Sequence, residues 1–414
     1  STDAGETWEH IGLENTQQIS RIIIHPDNPN IVYIAAQGAI NGPTKERGIY
    51  KSTDGGKSWK NVLFVNELSG ASELSIDYNN PKVLYATIWE HQRLPWKVIS
   101  GGEGSGVYKS TDGGDNWFKI ENGLPNELGK LAISVSRANS DKVYLLAESD
   151  SDKRLGGLFM SNNAGESWSR VSKYAELTSR AWYYIEVFAD PNDENTVYVL
   201  SARTFRSIDR GKTWERISSG HGDYHDLWIN PKNSKNMIIS DDGGGEITFD
   251  NGNSWSSINI MPTAQFYRVN VDNLFPYNLY GGQQDNSTVK IASIGSRGGI
   301  SQSDWSASAG GESAFLAFDP DNPRIVMGGS YLGSVNIYDT KAKARKKVMI
   351  EPINYIGKAS RDMKYRFNWN APIIWSQHES NTFYHAAQHL FKTKDLGKSW
   401  EVVSPDLTMD EDEK

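Results

Sequence analysis

The chain has 414 residues, with 51 acidic against 43 basic side chains, and therefore a formal net charge of −8. No apolar run approaches the ~18 residues that a membrane span needs, so no membrane span is predicted. An acidic chain without a dense block of Lys and Arg is poorly suited to phosphate backbones, which excludes nucleic acid as a partner. The absence of cysteine excludes disulfide scaffolds, thiolate catalysis and Cys-ligated zinc.

A short motif that ends in tryptophan recurs along the chain. Its pattern is [Ser/Thr]-x-[Asp/Asn]-x-Gly-x-[Ser/Thr/Asn]-Trp, and its seven copies begin at residues 1, 52, 110, 161, 207, 248 and 393. In such a turn the Asp side chain accepts backbone N–H bonds, the Gly takes a positive φ, and the Trp packs beneath. Each copy, called an Asp box here, therefore predicts a hairpin between two short strands.

A second motif, a turn rich in Pro and Asn between two apolar runs, precedes the boxes. Its eight copies begin at residues 25, 77, 136, 190, 230, 272, 319 and 377. One unit then reads strand, Pro/Asn turn, strand, loop, strand, box hairpin, strand. This repeat predicts an all-β fold, a β-propeller of about eight four-stranded blades. Two units, around residues 281–290 and 331–339, lack a recognisable box.

The first box, at residues 1–8, has no Pro/Asn turn before it, so we expect the chain to start in the middle of a blade. Two arrangements fit this count. In the first, residues 1–258 are blades of one ring and residues 259–414 begin a second ring, which fits the loss of recognisable boxes after Trp255. In the second, the eight blades close a single ring.

The box spacing resembles that of bacterial sortilin-like and glycosyl-hydrolase-like Asp-box (BNR) repeat propellers over the whole chain. Strings such as residues 122–125, 224–231, 281–286 and 365–372 add to this resemblance, and the architecture is similar to that of two-propeller xyloglucanases. The resemblance implies two seven-bladed rings in tandem and a location outside the cytoplasm, whether extracellular, periplasmic or on the cell surface. It does not extend to sialidases, because their arginine triad and Tyr/Glu pair are not found.

Acidic side chains recur near the strand ends of three consecutive units. Asp226 lies in the polar string 221–228, Asp242 follows the next strand, and Asp285 and Glu312 come in the two units after that. Glycoside hydrolysis requires two carboxyl groups ~5 to 9 Å apart. Asp226, Asp242, Asp285 and Glu312 are therefore the catalytic candidates, although polar filling of a propeller channel is the alternative.

Histidines, amides and aromatic rings near these acids are the candidates for ligand binding. They are suited to recognising hydroxyl groups and stacking on sugar rings, and for each aromatic ring the alternative is packing between blades. The candidates are His221, Asp223, His225, Trp228, Gln284, Arg366, Asn368, Trp369 and Asn370. The segments 89–96 and 180–184 have the same character. The His and Asp residues also offer metal ligands, but we predict neither a metal nor a cofactor.

Half of the 14 tryptophans close Asp boxes and are expected to be structural. The other seven, which carry the functional question, are Trp89, Trp96, Trp182, Trp228, Trp305, Trp369 and Trp375. We predict an exported propeller that binds a polysaccharide or oligosaccharide and whose glycoside-hydrolase-like activity is to be tested. The alternative is a non-catalytic propeller that binds a peptide or a protein partner.

Overall fold

Short antiparallel strands, each paired with the next along the chain, build the protein. The computed structural model describes residues 1–149, 151–259, 263–295 and 297–409, and these residues contain eight separate sheets. Six of the sheets have four strands in chain order, which confirms the predicted all-β propeller class. The chain forms two compact units, residues 1–260 (unit 1) and residues 261–414 (unit 2).

Unit 1 contains five blades. Blade 1 comprises β1 (Ile19–Ile24), β2 (Val32–Ala36), β3 (Gly48–Ser52) and β4 (Lys60–Leu63); blade 2 comprises β5 (Ser69–Ile76), β6 (Leu84–Arg93), β7 (Val98–Ser100), β8 (Gly106–Ser110) and β9 (Phe118–Lys119). Blade 3 comprises β10 (Leu131–Val135), β11 (Val143–Ala147), β12 (Gly157–Ser161) and β13 (Ser169–Ser172). Blade 4 comprises β14 (Glu186–Ala189), β15 (Val197–Leu200), β16 (Thr204–Ser207) and β17 (Glu215–Ile217); blade 5 has β18 (Tyr224–Ile229), β19 (Met237–Asp241) and β20 (Gly244–Thr248).

Unit 2 contains three blades. Blade 6 comprises β21 (Asn270–Val271), β22 (Asn278–Gly282), β23 (Thr288–Ala292) and β24 (Trp305–Ser306); blade 7 comprises β25 (Leu316–Ala317), β26 (Ile325–Gly329), β27 (Val335–Asp339) and β28 (Ala344–Lys347). Blade 8 comprises β29 (Ile373–Trp375), β30 (Phe383–Ala386), β31 (Leu390–Thr393) and β32 (Glu401–Val402). Short 3-10 helices span Lys153–Leu155, Ala175–Thr178, Gln302–Asp304, Tyr331–Gly333 and Ser360–Asp362.

The Asp boxes form the hairpins that the sequence predicts, with Asp54 as an example. Its carboxylate accepts bonds from the Ser58 backbone N–H at 2.9 Å and from the Ser58 hydroxyl at 2.6 Å. The Ser58 bonds and the Ser52 hydroxyl, also bound to Asp54, lower the pKa of Asp54 to about 2. Gly56 takes a φ of 91° at the turn, a conformation that glycine adopts without strain.

The box at residues 1–8 departs from the expectation that every box tryptophan is packed. Asp3 makes the usual bonds to Thr7, but no strand precedes residue 19 among the described residues and Trp8 is 81% exposed. The following segment reaches blade 1, where Ile11 O accepts the Trp59 Nε1 bond at 3.0 Å. A box hairpin thus forms by local hydrogen bonds alone, while its tryptophan is buried only where a neighbouring strand covers it.

Apolar side chains pack between successive blades of each unit. In unit 1, one cluster joins blades 1 and 2 through Tyr33, Ile49 and Leu84, and similar clusters join each later pair. Burying one such side chain contributes about 1.5–3 kcal/mol. A hydrogen bond adds to this packing, because the Tyr33 hydroxyl donates to Gly113 O in the box of the next blade at 2.8 Å. We call this bond a tyrosine latch.

Candidate functional site

One position on the first strand of each blade in unit 1 carries the charge of the site. It lies four residues before the first residue of the Pro/Asn turn. In the sheet it pairs with the fourth residue of the second strand of the same blade. We call it the channel position. In blades 1 to 5 it holds Arg21, Glu73, Ala132, Glu186 and Asp226. Sequence reasoning selected only the last of these, although the constant offset from the turn was a usable signal for all five.

The Arg21 guanidinium joins these positions. It contacts Glu73 through Nε at 2.7 Å and through Nη2 at 2.8 Å, and its Nη1 lies 3.1 Å from both carboxylate oxygens of Asp226. Its Nη2 is also 3.9 Å from Glu186 Oε2. In blade 3 Lys130 supplies the missing charge, with Nζ 3.0 Å from Glu186 Oε1. These five residues, called the channel network, link the first strands of all five blades of unit 1.

Two carboxyl groups of the network, Glu73 and Glu186, have pKa values shifted in opposite directions. Burial raises the pKa of Glu186 well above its ordinary value, with the nearby Glu73 charge adding to the rise against the opposing charge of Lys130. Burial would also raise the pKa of Glu73, but the charge and hydrogen bonds of Arg21 outweigh it and lower that pKa. Glu186 Oε2 accepts no hydrogen bond, so a proton on this oxygen could be donated to the Glu73 carboxylate. This pair therefore favours one protonated and one ionised group.

A cavity of about 260 Å³ opens on the side of the network from which the first strands enter. Polar groups at its base include Ser20, Ser72, Lys130 and Glu186, and we call this space the unit 1 cavity. Its aromatic lining comprises Trp89, His91, Trp182, Tyr183 and Tyr184. The Trp89 and His91 rings stack at 3.9 Å, whereas Trp182 and Tyr183 expose 37% and 43% of their surface. Two aromatic rings of the lining are thus partly exposed to solvent.

His225, a predicted ligand-binding residue, forms one wall of this cavity. Its Nε2 lies 2.5 Å from Asp242 Oδ1, and because a carboxylate accepts hydrogen bonds, Nε2 is the donor of this contact. The Tyr184 and Tyr183 rings pack beside it at 4.9 and 5.9 Å. The predicted residues His225 and Asp242 are thus brought together, with the imidazole held in one orientation.

Asp223 supports this wall from behind. The Tyr184 hydroxyl donates to one of its oxygens and Arg180 Nη1 donates to the other at 2.7 Å. Burial and this bond raise the pKa of the Tyr184 hydroxyl. Asp223 has a φ of 61°, an uncommon conformation for a residue other than glycine, and its carbonyl accepts the Asp242 backbone N–H at 3.2 Å. Asp223 is therefore a positioning residue for the His225 and Asp242 pair.

Two other predicted residues of unit 1 lie elsewhere. Trp228 stands on β18 and exposes 52% of its surface, and the His221 Nδ1 approaches Gly222 O at 3.0 Å. Neither is among the described residues that line the unit 1 cavity. Asp226 is not at a strand end, since it lies within β18 in the ion pair with Arg21.

Unit 2 brings a second group of predicted residues together. The Trp369 ring stacks on Tyr331 at 4.6 Å, and its Nε1 donates to the Tyr267 hydroxyl at 3.3 Å. That hydroxyl donates to Gln284 Oε1. The Gln284 amide donates in turn to Asp285 at 2.8 Å, so an aromatic platform borders a polar chain.

The sequence suggested that the acids of unit 2 occupy matching positions near strand ends, but they do not. Asp285 lies in the turn after β22, equivalent to Asp242 after β19, whereas Glu312 lies in the segment before β25. They still meet, because Glu312 Oε2 accepts the Asp285 backbone N–H at 3.1 Å.

Of the remaining candidates of unit 2, Arg366 and Asn368 form hydrogen bonds within the protein. Arg366 Nη2 contacts Asp406 at 2.9 Å and Thr408 at 2.8 Å, and Asn368 Oδ1 accepts the Trp369 backbone N–H at 2.7 Å. Asn370 Oδ1 is buried and has no hydrogen-bond partner.

The described residues contain neither a cluster of metal ligands nor a membrane-spanning helix. Within residues 1–149, 151–259, 263–295 and 297–409, no three His, Asp or Glu side chains converge to form a metal site. No helix in the same ranges has the length and apolar character to cross a membrane.

Comparisons with known proteins point to sortilin and xyloglucanase propellers. The family model for sortilin (neurotensin receptor 3) matches residues 1–153. Xyloglucanases from Paenibacillus sp and Acetivibrio thermocellus are 21% and 24% identical over 248 and 253 residues, each match covering 52% of this chain. Among solved structures, the GH74 enzyme of Niastella koreensis aligns with 95% of this chain and 72% of its own, at 15% identity and a TM-score of 0.41.

The chain spans 23% and 28% of the length of these two curated relatives. Its predicted similarity to sortilin-like and xyloglucanase-like proteins is confirmed, together with the β-propeller fold.

Proposed function

We propose that the protein binds a polysaccharide or oligosaccharide in the unit 1 cavity. The observation that carries this proposal is the presence of exposed Trp182 and Tyr183 rings above a polar base in one concave space. Sugar rings have apolar faces that stack on aromatic side chains and hydroxyl groups that need polar partners. Ligand sites of this type combine a mostly fixed aromatic lining with few, well-placed polar groups.

The wall of the cavity supports this proposal because its polar groups are already held in place. His225 is fixed by Asp242, and Tyr184 by Asp223. A binding site whose side chains are fixed before the ligand arrives loses less conformational entropy on binding. The similarity to xyloglucanases makes xyloglucan the first polysaccharide to test, and it supports action outside the cell, whether extracellular, periplasmic or at the surface.

Hydrolysis of the bound sugar is the finer part of the proposal. The candidates remain Asp226 and Asp242 in unit 1 and Asp285 and Glu312 in unit 2, and Glu186 joins them because it lines the cavity. Of these, Glu186 has the raised pKa that a general acid needs. Release of reducing sugar from xyloglucan, with Glu186→Gln and Asp242→Asn as variants, tests this part.

Affinity gel electrophoresis and calorimetric titration with xyloglucan, xylan, mannan and cello-oligosaccharides test binding. We expect Trp182→Ala and Tyr183→Ala each to weaken binding about tenfold, the scale of one aromatic contact of about 1–1.5 kcal/mol. Trp96→Ala is the matched control, because Trp96 is 80% exposed and does not line the cavity.

Three outcomes would count against the proposal. Binding to none of these sugars contradicts it outright. Equal losses for Trp182→Ala and Trp96→Ala place the site elsewhere, and loss only with Trp369→Ala moves it to unit 2. Binding of a peptide library in place of every sugar would favour the alternative, a non-catalytic propeller with a peptide partner.

A further inference from the structure

The base of the unit 1 cavity is closed by the channel network. Ser20 and Ser72 line the cavity, and each immediately precedes a network residue, Arg21 or Glu73. His225 likewise precedes Asp226. The next layer along the first strands is therefore the network itself, in which Arg21 contacts blades 2, 4 and 5. A ligand that enters the cavity meets this layer and cannot continue along the channel.

Two polar side chains on the lining can bind a ligand. Glu186 is 8% exposed and its Oε2 accepts no hydrogen bond, so this oxygen can accept one from a ligand even when it shares a proton with Glu73. His225 uses Nε2 for Asp242, so Nδ1 is the ring nitrogen with which it can bind a ligand. Both groups pair well with hydroxyls, which donate and accept hydrogen bonds.

The charges at the cavity favour a ligand without net charge. The Lys130 ammonium is paired with Glu186 at 3.0 Å, whereas Arg93 on the lining is exposed to solvent. A charged ligand at the base of the cavity would have to break the pair of Lys130 and Glu186, at a cost that a neutral hydroxyl ligand does not meet.

We propose that the unit 1 cavity is a blind subsite for the end of a neutral sugar chain, with Glu186 and His225 binding the hydroxyl groups of its terminal residue. This inference rests on the proposed function and adds the part of the chain that is recognised. A sugar in the middle of a polymer has neighbours on both sides, so it would need an open groove or a through channel.

Calorimetric titration of the full chain with xyloglucan fragments of two well-separated mean lengths tests the proposal. We expect one protein bound per sugar chain at both lengths, and similar affinity per mole of chains. Several proteins bound to each longer chain would overturn the blind subsite while leaving sugar binding intact. If neither fragment binds and none of the other sugars binds, the proposed function itself is contradicted.

Side-chain variants identify the terminal subsite. We expect Glu186→Gln and His225→Gln each to lower affinity for the short fragment about tenfold or more, with Trp96→Ala unchanged. If Glu186→Gln does not fold, the affinity of His225→Gln decides the test, because His225 lies outside the channel network. Thermal melting curves establish which variants are folded. Unchanged affinity in a folded His225→Gln variant would overturn the assignment.

Discussion

Units 1 and 2 use the same blade but fill its channel position with different chemistry. In unit 1 this position holds the charges that Arg21 joins across four blades. In unit 2 blades 6 and 7 place Arg268 and Phe315 there, with the guanidinium carbon 3.6 Å from the centre of the phenyl ring. The difference shows that the repeat fixes where a side chain points, while the residue at one position decides whether the channel is ionic or aromatic.

The largest effect is expected from removing the centre of the ionic network. Arg21→Met leaves Glu73 and Asp226 without their partner, and breaking a buried ion pair from one side costs about 3–5 kcal/mol. We expect a loss of that size in the free energy of unfolding, measured by urea titration.

Arg268→Met in unit 2 is the matched control. Burial lowers the pKa of Arg268, and its Nη1 has no hydrogen-bond partner, so Met in its place should change stability by less than about 1 kcal/mol. Equal losses for the two variants would show that the ionic network is not what distinguishes unit 1.

Asp-box variants should show where the two units agree. Asp54→Ala in unit 1 and Asp395→Ala in unit 2 remove the same bonds, from the backbone N–H and the hydroxyl of the residue four positions later, Ser58 or Ser399. Each should lower the midpoint of urea unfolding by a similar amount, because each turn loses two or more hydrogen bonds. Asp3→Ala should leave the midpoint nearly unchanged, because its hairpin is not part of a sheet. A small effect of Asp395→Ala in urea titration would contradict this equivalence.

The pH dependence of the free energy of unfolding should report on Glu186, which belongs to the channel network of unit 1. Glu186 faces Glu73, Arg21 and Lys130, and its pKa in the folded protein is raised above the ordinary value of 4.5. The folded state therefore holds this proton more tightly, and its contribution to stability is present below pH 4.5 and lost as the pH rises through the raised pKa. Glu186→Gln should remove this loss from unfolding curves recorded between pH 4 and 9. If the free energy of unfolding of the wild-type protein does not fall as the pH rises in this range, Glu186 and Glu73 do not share a proton.

Much of the fold was predictable because the boxes and Pro/Asn turns are local. Asp54 and Gly56 fix a hairpin by bonds within seven residues, so their pattern survives in the sequence. Trp8 was wrongly expected to be packed, because burial depends on a neighbouring strand and not on the box itself. Blade 7, one of the two units without a recognisable box, has a different turn, in which Asp339 accepts the backbone N–H groups of Lys341 and Ala342.

The site was less predictable because its residues are far apart in sequence. His225 and Asp242 were both candidates, but nothing local shows that their side chains meet across a hairpin. Arg21 and Glu186 were missed because each is a single charge in an apolar strand, and the contact between them joins blades 1 and 4. Comparing the residue at one fixed offset from every Pro/Asn turn would have exposed one arginine and three acidic residues at this position in unit 1.

A smaller effect than that of breaking the ionic network is expected from the tyrosine latches of unit 1. The Tyr33 hydroxyl donates to Gly113 O at 2.8 Å and the Tyr85 hydroxyl to Ala164 O at 2.9 Å, each reaching the box of the next blade. In unit 2 the Tyr280 hydroxyl instead donates to Asp272 within its own blade. Tyr33→Phe should therefore lower the free energy of unfolding by about 1 kcal/mol, the net contribution of one hydrogen bond.

Tyr85→Phe should cost less than Tyr33→Phe in the same urea titration, because Ala164 O also accepts a bond from the Lys109 ammonium at 2.7 Å. The carbonyl then keeps a partner, and only the burial of the hydroxyl changes. A larger loss for Tyr85→Phe would mean that the two donors depend on each other. A loss in Tyr33→Phe as large as that in Arg21→Met would mean that contacts between neighbouring blades, and not the channel network, set the stability of unit 1.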